Sequence, residues 1–179
     1  MEKRKFLIVV DMQNDFIDGS LGTKEAQAIV PAVTERIKAL KAEGCAVIAT
    51  LDTHEENYLD TREGRFLPVR HCIRGTTGWE LAPAIREALG DGATLLEKPT
   101  FGSVRLPQLV RDEMGDAEQL RIELVGLCTD ICVVSNALLL KAAFPEAEIQ
   151  VNSACCAGVT PEKHQAALET MASCQIDII

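Results

Sequence analysis

Near-continuous apolar runs recur along this chain, each separated from the next by a polar turn and a segment of helical periodicity. FLIVV, AVIATL and LRIELVGL are five to eight residues long, short for buried helices and typical of strands covered on both faces. Strands are therefore expected over 5–10, 45–52, 93–97, 120–127, 147–151 and 175–179. Between the first two, residues 24–43 place Ile29, Val33, Ile37 and Leu40 at helical spacing, with Gly44 as the stop and Pro31 in a first turn. Further helices are expected over 79–89, 106–115, 130–143 and 161–173. The last opens on Pro161 behind Thr160 as cap, and Thr129 or Asp130 caps the one before it. This alternation predicts an α/β chain: a three-layer α/β/α, Rossmann-like fold with a six-stranded, mainly parallel sheet and right-handed crossovers. Residues 1–179 read as one domain, without repeats, linkers or low-complexity tracts.

Two segments break the rhythm. Residues 12–22, MQNDFIDGSLG, form a polar loop directly after the first strand. Residues 53–78 lose periodicity altogether, and they hold two of the three histidines, His54 and His71. A non-periodic stretch of that length inside a compact unit points to function.

Composition narrows the classes. Hydrophobic content of 47% with 25% charged residues is that of an ordinary globular protein. A net charge of −9 argues against nucleic acid or an anionic membrane surface as partner. No apolar run reaches membrane-spanning length, and the first residues lack the apolar core and cleavage site of a signal peptide. Seven cysteines match no disulfide or zinc-finger spacing, so a reducing cytoplasm is the expected compartment. Cys45 and Cys174 read as core residues, Cys72, Cys155 and Cys156 as loop residues, and His164 as a solvated position on the final helix.

Candidate chemistry collects at strand ends. The first strand ends on Asp11, the third on Lys98, and the fourth runs into a turn carrying Cys132 in the first turn of a helix. Unpaired N–H groups and the positive helix end there are expected to lower a thiol pKa. Parallel strands share one carboxyl edge, where ligands gather, so the three side chains can converge: a base, a cation and a nucleophile. The second strand ends in Asp-x-His, Asp52 and His54, which with His71 offers a set of metal ligands.

These motifs resemble one family. DMQNDF, DTH, RHCIRGTTGWE, EKPTFGS and VGLCTDICV occur in the order found in the isochorismatase-like cysteine hydrolases, and the likeness to the nicotinamidase-related branch covers nearly the whole chain. The resemblance implies a catalytic Asp11, Lys98 and Cys132. It also implies a cis peptide at Leu127–Cys128, and an oxyanion hole from the backbone N–H groups of Cys128 and Cys132. It implies a divalent metal, zinc with iron or manganese as alternatives, on Asp52, His54, His71 and a fourth ligand, Glu63 or Asp60. Phe16 falls where the family stacks a phenylalanine on the substrate ring. The opposite, commonly aromatic wall falls on Pro68, which Phe66 or Trp79 would have to replace. The implied activity is hydrolysis of nicotinamide or a similar small carboxamide to acid and ammonia. Other small amides (N-carbamoylsarcosine, ureidoacrylate, maleamate), ether-bond hydrolysis or a non-catalytic binding role are the alternatives. Relatives of this kind often associate, so a homo-oligomer is expected.

Overall fold

The computed structural model describes residues 3–115, 117 and 119–179. Six strands form one sheet in the order β3-β2-β1-β4-β5-β6: β1 Arg4–Val10, β2 Ala46–Asp52, β3 Thr94–Lys98, β4 Leu120–Leu127, β5 Glu148–Ala157 and β6 Asp177–Ile178. Every pairing is parallel, so the expected mainly parallel sheet is parallel throughout. Along β1 the side chains alternate between two cores, as the pleat requires. Leu7 and Val9 pack with Ile29, Val33 and Ile37 of helix α2 (Lys24–Ala42) and Ile85 of α4 (Pro83–Leu89). Phe6, Ile8 and Val10 face Leu106, Ala137 and Met171 of α5 (Arg105–Met114), α6 (Val134–Ala143) and α7 (Pro161–Ser173). The three-layer α/β/α arrangement follows.

Strand order decides where the site lies. The chain moves outward from β1 to β2 and β3, then returns to lay β4 on the other side of β1. The carboxyl ends of β1 and β4 therefore flank the switch point of the sheet, where a crevice opens. Gly126 makes the close approach possible. Its φ is +119°, and a Cβ there would lie 2.1 Å from the Val10 carbonyl oxygen.

Several local expectations change. Pro31 sits inside α2 rather than in a first turn, where its missing N–H removes one helical bond. The helix expected from residue 79 starts at Pro83, because Leu81 is held in a bridge to Gln13. β5 continues past residue 151: after a register shift, Gly126 and Leu127 pair with Cys156 and Ala157. Cys155 and Cys156 are thus buried strand residues, not loop residues, and Cys174 is exposed rather than core. The loop after β1 contains a short helix α1, Asn14–Ile17, and the 53–78 segment contains a 3₁₀ turn, Tyr58–Asp60, and helix α3, Arg62–Phe66. Among the described residues no helix is long and apolar enough to cross a membrane.

Candidate active site and metal centre

Asp11 leaves β1 with φ 48°, a left-handed conformation that aspartate tolerates better than most residues. Its N–H donates to the Thr50 carbonyl at 3.2 Å, and the Thr50 hydroxyl donates to Oδ1 at 2.6 Å. Lys98 comes from β3, two strands away and about 10 Å across the sheet, yet its Nζ reaches to 2.6 Å from Asp11 Oδ2. That oxygen is buried and has no other donor among the described residues. The ammonium also donates to the Thr100 carbonyl at 3.0 Å and approaches Cys132 Sγ at 3.5 Å and Asp52 Oδ1 at 3.8 Å. Asp11, Lys98 and Cys132, distant in sequence, are therefore brought together and buried.

Cys132 lies in a widened turn, Thr129–Val133, that leads into α6. The Val133 N–H donates to the Cys128 carbonyl and the Val134 N–H to the Thr129 carbonyl, an i→i−5 pattern that recurs at functional positions in helices. The peptide Leu127–Cys128 is cis, as the resemblance implies. Neither Thr129 nor Asp130 caps this helix. Cys128 holds the cap position without a side-chain bond, Thr129 Oγ1 pairs with His164 Nδ1 at 2.7 Å, and Asp130 accepts from the Val159 N–H at 3.0 Å. His164 is accordingly half-buried rather than solvated.

The expectation of a lowered thiol pKa is reversed. Burial pushes Cys132 well above the ordinary thiol value, the Asp11 charge adds to this, and Lys98 opposes it without prevailing. Burial also raises Asp11 against the pull of Lys98. Burial works against the Lys98 ammonium, but Asp11, Cys132 and Asp52 outweigh it and hold its pKa above the usual range. At neutral pH Cys132 is a thiol, with the Asp11 side chain beside it.

Beside this group lies a second cluster. Asp52, His54, Glu63 and His71 each direct one ligand atom into a space where all four lie within 4.8 Å of one another. Asp52 Oδ2 is 3.1 Å from His54 Nε2 and 3.4 Å from His71 Nε2, while Glu63 Oε1 is 3.6 and 3.7 Å from the same nitrogens. Backbone pairing sets this up. The His54 N–H donates to the Cys72 carbonyl and the Arg74 N–H to the His54 carbonyl, which zips the two histidine segments together. Thr61 caps α3 by accepting from the Gly64 N–H at 3.0 Å, presenting Glu63; Asp60 stays outside the cluster. The Val69 carbonyl lies 2.8 Å from His71 Nδ1, so a proton there leaves the Nε2 lone pair facing inward. Burial raises Glu63, and the nearby Asp52 charge adds to it. Two facing carboxylates and two inward imidazoles form a donor set that fits a divalent cation.

Both clusters open into one cavity of about 290 Å³. Asp52, Glu63, His71, Cys128 and Cys132 line it, with Phe16 along one side, 5.6 Å between ring centroids from His71. Neither Phe66 nor Trp79 replaces the missing aromatic wall. Phe66 is 76% exposed, and Trp79 turns away to donate its ring N–H to Thr53. Leu67 and Phe101 line the cavity instead. Leu67 carries no periodic or motif signal, and Phe101 stands inside the EKPTFGS segment without a role assigned to it; the residues that hold the site behind them were likewise assigned none. Gln13 clamps Asp52 by exchanging two hydrogen bonds with its backbone, each 2.8 Å. Asn136 ties the Phe101 loop to Cys132, accepting from the Ser103 N–H and donating to the Cys132 carbonyl. Gln13 stands in the DMQNDF segment two residues from Asp11, which is a hint in the sequence; Asn136 carries none.

Comparison with known proteins agrees with this layout. A family model described as the isochorismatase domain matches residues 5–179. The nicotinamidase/pyrazinamidase of Mycobacterium tuberculosis is 29% identical over 190 residues, with 97% of each chain covered. The nicotinamidase of Escherichia coli is 28% identical over 153 residues, 71% of each chain. The crystal structure of the pyrazinamidase of Pyrococcus horikoshii in complex with zinc superposes with a TM-score of 0.84 at 30% identity, covering 98% of both chains.

Proposed function

We propose that this chain, which belongs to the isochorismatase family, is a metal-holding cysteine amidohydrolase that converts nicotinamide, or a heteroaromatic carboxamide of its size, to the acid and ammonia. The observation that carries this reading is one cavity lined by Cys132, the thiol of a buried carboxylate–ammonium–thiol group, and by Asp52, Glu63 and His71 of the four-ligand cluster. Relatives named nicotinamidase and pyrazinamidase support the substrate class.

Asp11 Oδ2 takes the Cys132 proton as sulfur attacks the amide carbon, forming the S–C bond and moving the carbonyl π electrons onto oxygen. The backbone N–H groups of Cys128 and Cys132 are the donors for that oxyanion. The carbonyl then re-forms, the C–N bond breaks, and Asp11 passes its proton to the departing nitrogen. Water adds to the thioester carbon as Asp11 takes a proton from it; the carbonyl re-forms, the C–S bond breaks, and Asp11 returns the proton to the sulfur, leaving the acid as product. Lys98 favours the ionised form of Asp11 against the effect of burial and offsets negative charge on sulfur during attack. Asp52, His54, Glu63 and His71 would hold the divalent metal, which when bound offers a Lewis-acid contact to a lone pair of the substrate. Phe16, Leu67 and Phe101 exclude water and set ring orientation.

Ammonia release from nicotinamide, pyrazinamide, N-carbamoylsarcosine and maleamate tests this. The aromatic amides should turn over with the higher kcat/KM, and Cys132→Ala should abolish release. Retained turnover in that variant would sink the mechanism; preference for the aliphatic amides would sink the substrate assignment.

A further inference from the structure

The reacting turn is braced from outside the site. Residues 128–132 carry the oxyanion donors and the nucleophile, and both hydrogen-bonding side chains between them point away from the cavity toward the start of α7. Thr129 is fully buried, and its hydroxyl has one partner among the described residues, His164 Nδ1 at 2.7 Å. One residue on, Asp130 accepts from the Val159 N–H just ahead of α7. The approach is close enough to need a glycine at 158, where a Cβ would lie 2.7 Å from the His164 backbone nitrogen. Burial lowers the His164 pKa, and the Asp130 charge opposes this without cancelling it, so the ring is neutral at pH 7. A neutral imidazole in the Nε2–H tautomer leaves Nδ1 free to accept the Thr129 O–H, the assignment that pairs this hydroxyl.

We propose that His164 is a positioning residue, which by accepting the Thr129 hydroxyl holds the Cys128–Cys132 turn in the geometry that stabilises the oxyanion. The role rests on the amide-hydrolysis reading above, and it differs from simple packing in what it affects. The ring is not among the residues lining the cavity, so substrate binding is left alone. Losing the acceptor leaves a buried hydroxyl unpaired, and the turn must shift to re-pair it. A displacement of that kind costs transition-state stabilisation while ground-state affinity is kept.

The test uses the full, metal-loaded chain with His164→Ala, His164→Asn, Thr129→Val and Thr129→Ser. Asparagine can place an acceptor where Nδ1 stood, and serine keeps the hydroxyl. In His164→Ala and Thr129→Val, kcat should fall by about 10- to 100-fold with KM within about threefold. His164→Asn and Thr129→Ser should recover most of the loss, and the double variant Thr129→Val/His164→Ala should be no worse than either single one. Hydrogen exchange of a peptide spanning residues 126–134 should speed up in the alanine variant and return in the asparagine variant. Unchanged kcat, a change confined to KM, strict additivity or unaltered exchange would each overturn the proposal. Exchange is read without turnover. A wild-type chain that releases no ammonia therefore defeats the amidase reading, while the exchange result still decides whether His164 holds the turn.

Discussion

Replacing Asp11 by asparagine separates two properties of the thiol, how readily it ionises and whether it can complete a turnover. Asp11 Oδ2 and Cys132 Sγ share one ammonium, at 2.6 and 3.5 Å. Burial holds the thiol pKa up, the Asp11 charge holds it higher, and Lys98 pulls against both. At an effective dielectric of about 20, an ammonium and a thiolate at this separation attract by about 5 kcal/mol. The negative charge of Asp11 cancels much of that attraction. Asparagine keeps an oxygen for the Thr50 hydroxyl and removes the charge, so the Cys132 pKa falls. Two assays at pH 7.5 should then move in opposite directions. Alkylation of Cys132 by iodoacetamide, followed by intact mass against a Cys132→Ala control, should accelerate by about tenfold or more as the thiolate fraction rises. Ammonia release should drop by about 10²- to 10⁴-fold, because no group returns a proton to the leaving nitrogen. Slower alkylation in Asp11→Asn would show that Asp11 is not what keeps the thiol protonated, and retained turnover would show that it is not the base.

Other expectations follow from the same contacts. His54→Ala should lose its divalent metal on dialysis, measured by plasma mass spectrometry beside the wild-type chain; equal metal content would show that the four residues are not its site. Burial first of all raises the thiols of Cys45, Cys128 and Cys156 from 9.0 to about 11, 12 and 12. Their folded values lie above the unfolded one, so the stability they contribute is intact below pH 9 and lost above it. Cys128 and Cys156 together remove up to about 3 kcal/mol between pH 8 and 10, and Cys45, better screened by solvent, adds less than its full share, read as a falling urea midpoint. A midpoint constant to pH 10 would mean that these thiols ionise freely in the folded state.

The parts of this fold legible in the amino-acid order are those with a local physical signature. Strands covered on both faces read as apolar runs, and α2 shows its buried stripe at Ile29, Val33, Ile37 and Leu40. Asp11, Lys98 and Cys132 were legible because each stands at a strand end or in the turn directly after one, and a parallel sheet puts those ends on one edge. The cluster of Asp52, His54, Glu63 and His71 was legible only through likeness to a family, since a lone Asp-x-His spacing is common. What stayed hidden depends on partners far along the chain. Thr50 meets Asp11 across 39 residues, Asn136 meets Ser103 across 33, and Thr129 meets His164 across 35. Thr50 and Thr129 sit in segments that the sequence marks as buried strand and motif, but nothing local names their partners, and Asn136 and His164 carry no local mark at all.

The Cys132 pKa makes the sharper point. A helix start suggests a lowered thiol pKa when the residue is considered alone, and the stabilisation from that helix end is typically 0.3–1 kcal/mol at an exposed site. Burying an ion costs several kcal/mol, and here the thiol is buried beside a carboxylate. The larger effect wins. The consequence is mechanistic: on the proposed reaction a thiol that is protonated at rest needs a base within reach, and Asp11, 2.6 Å from the Lys98 ammonium that favours its ionised form, would be that base.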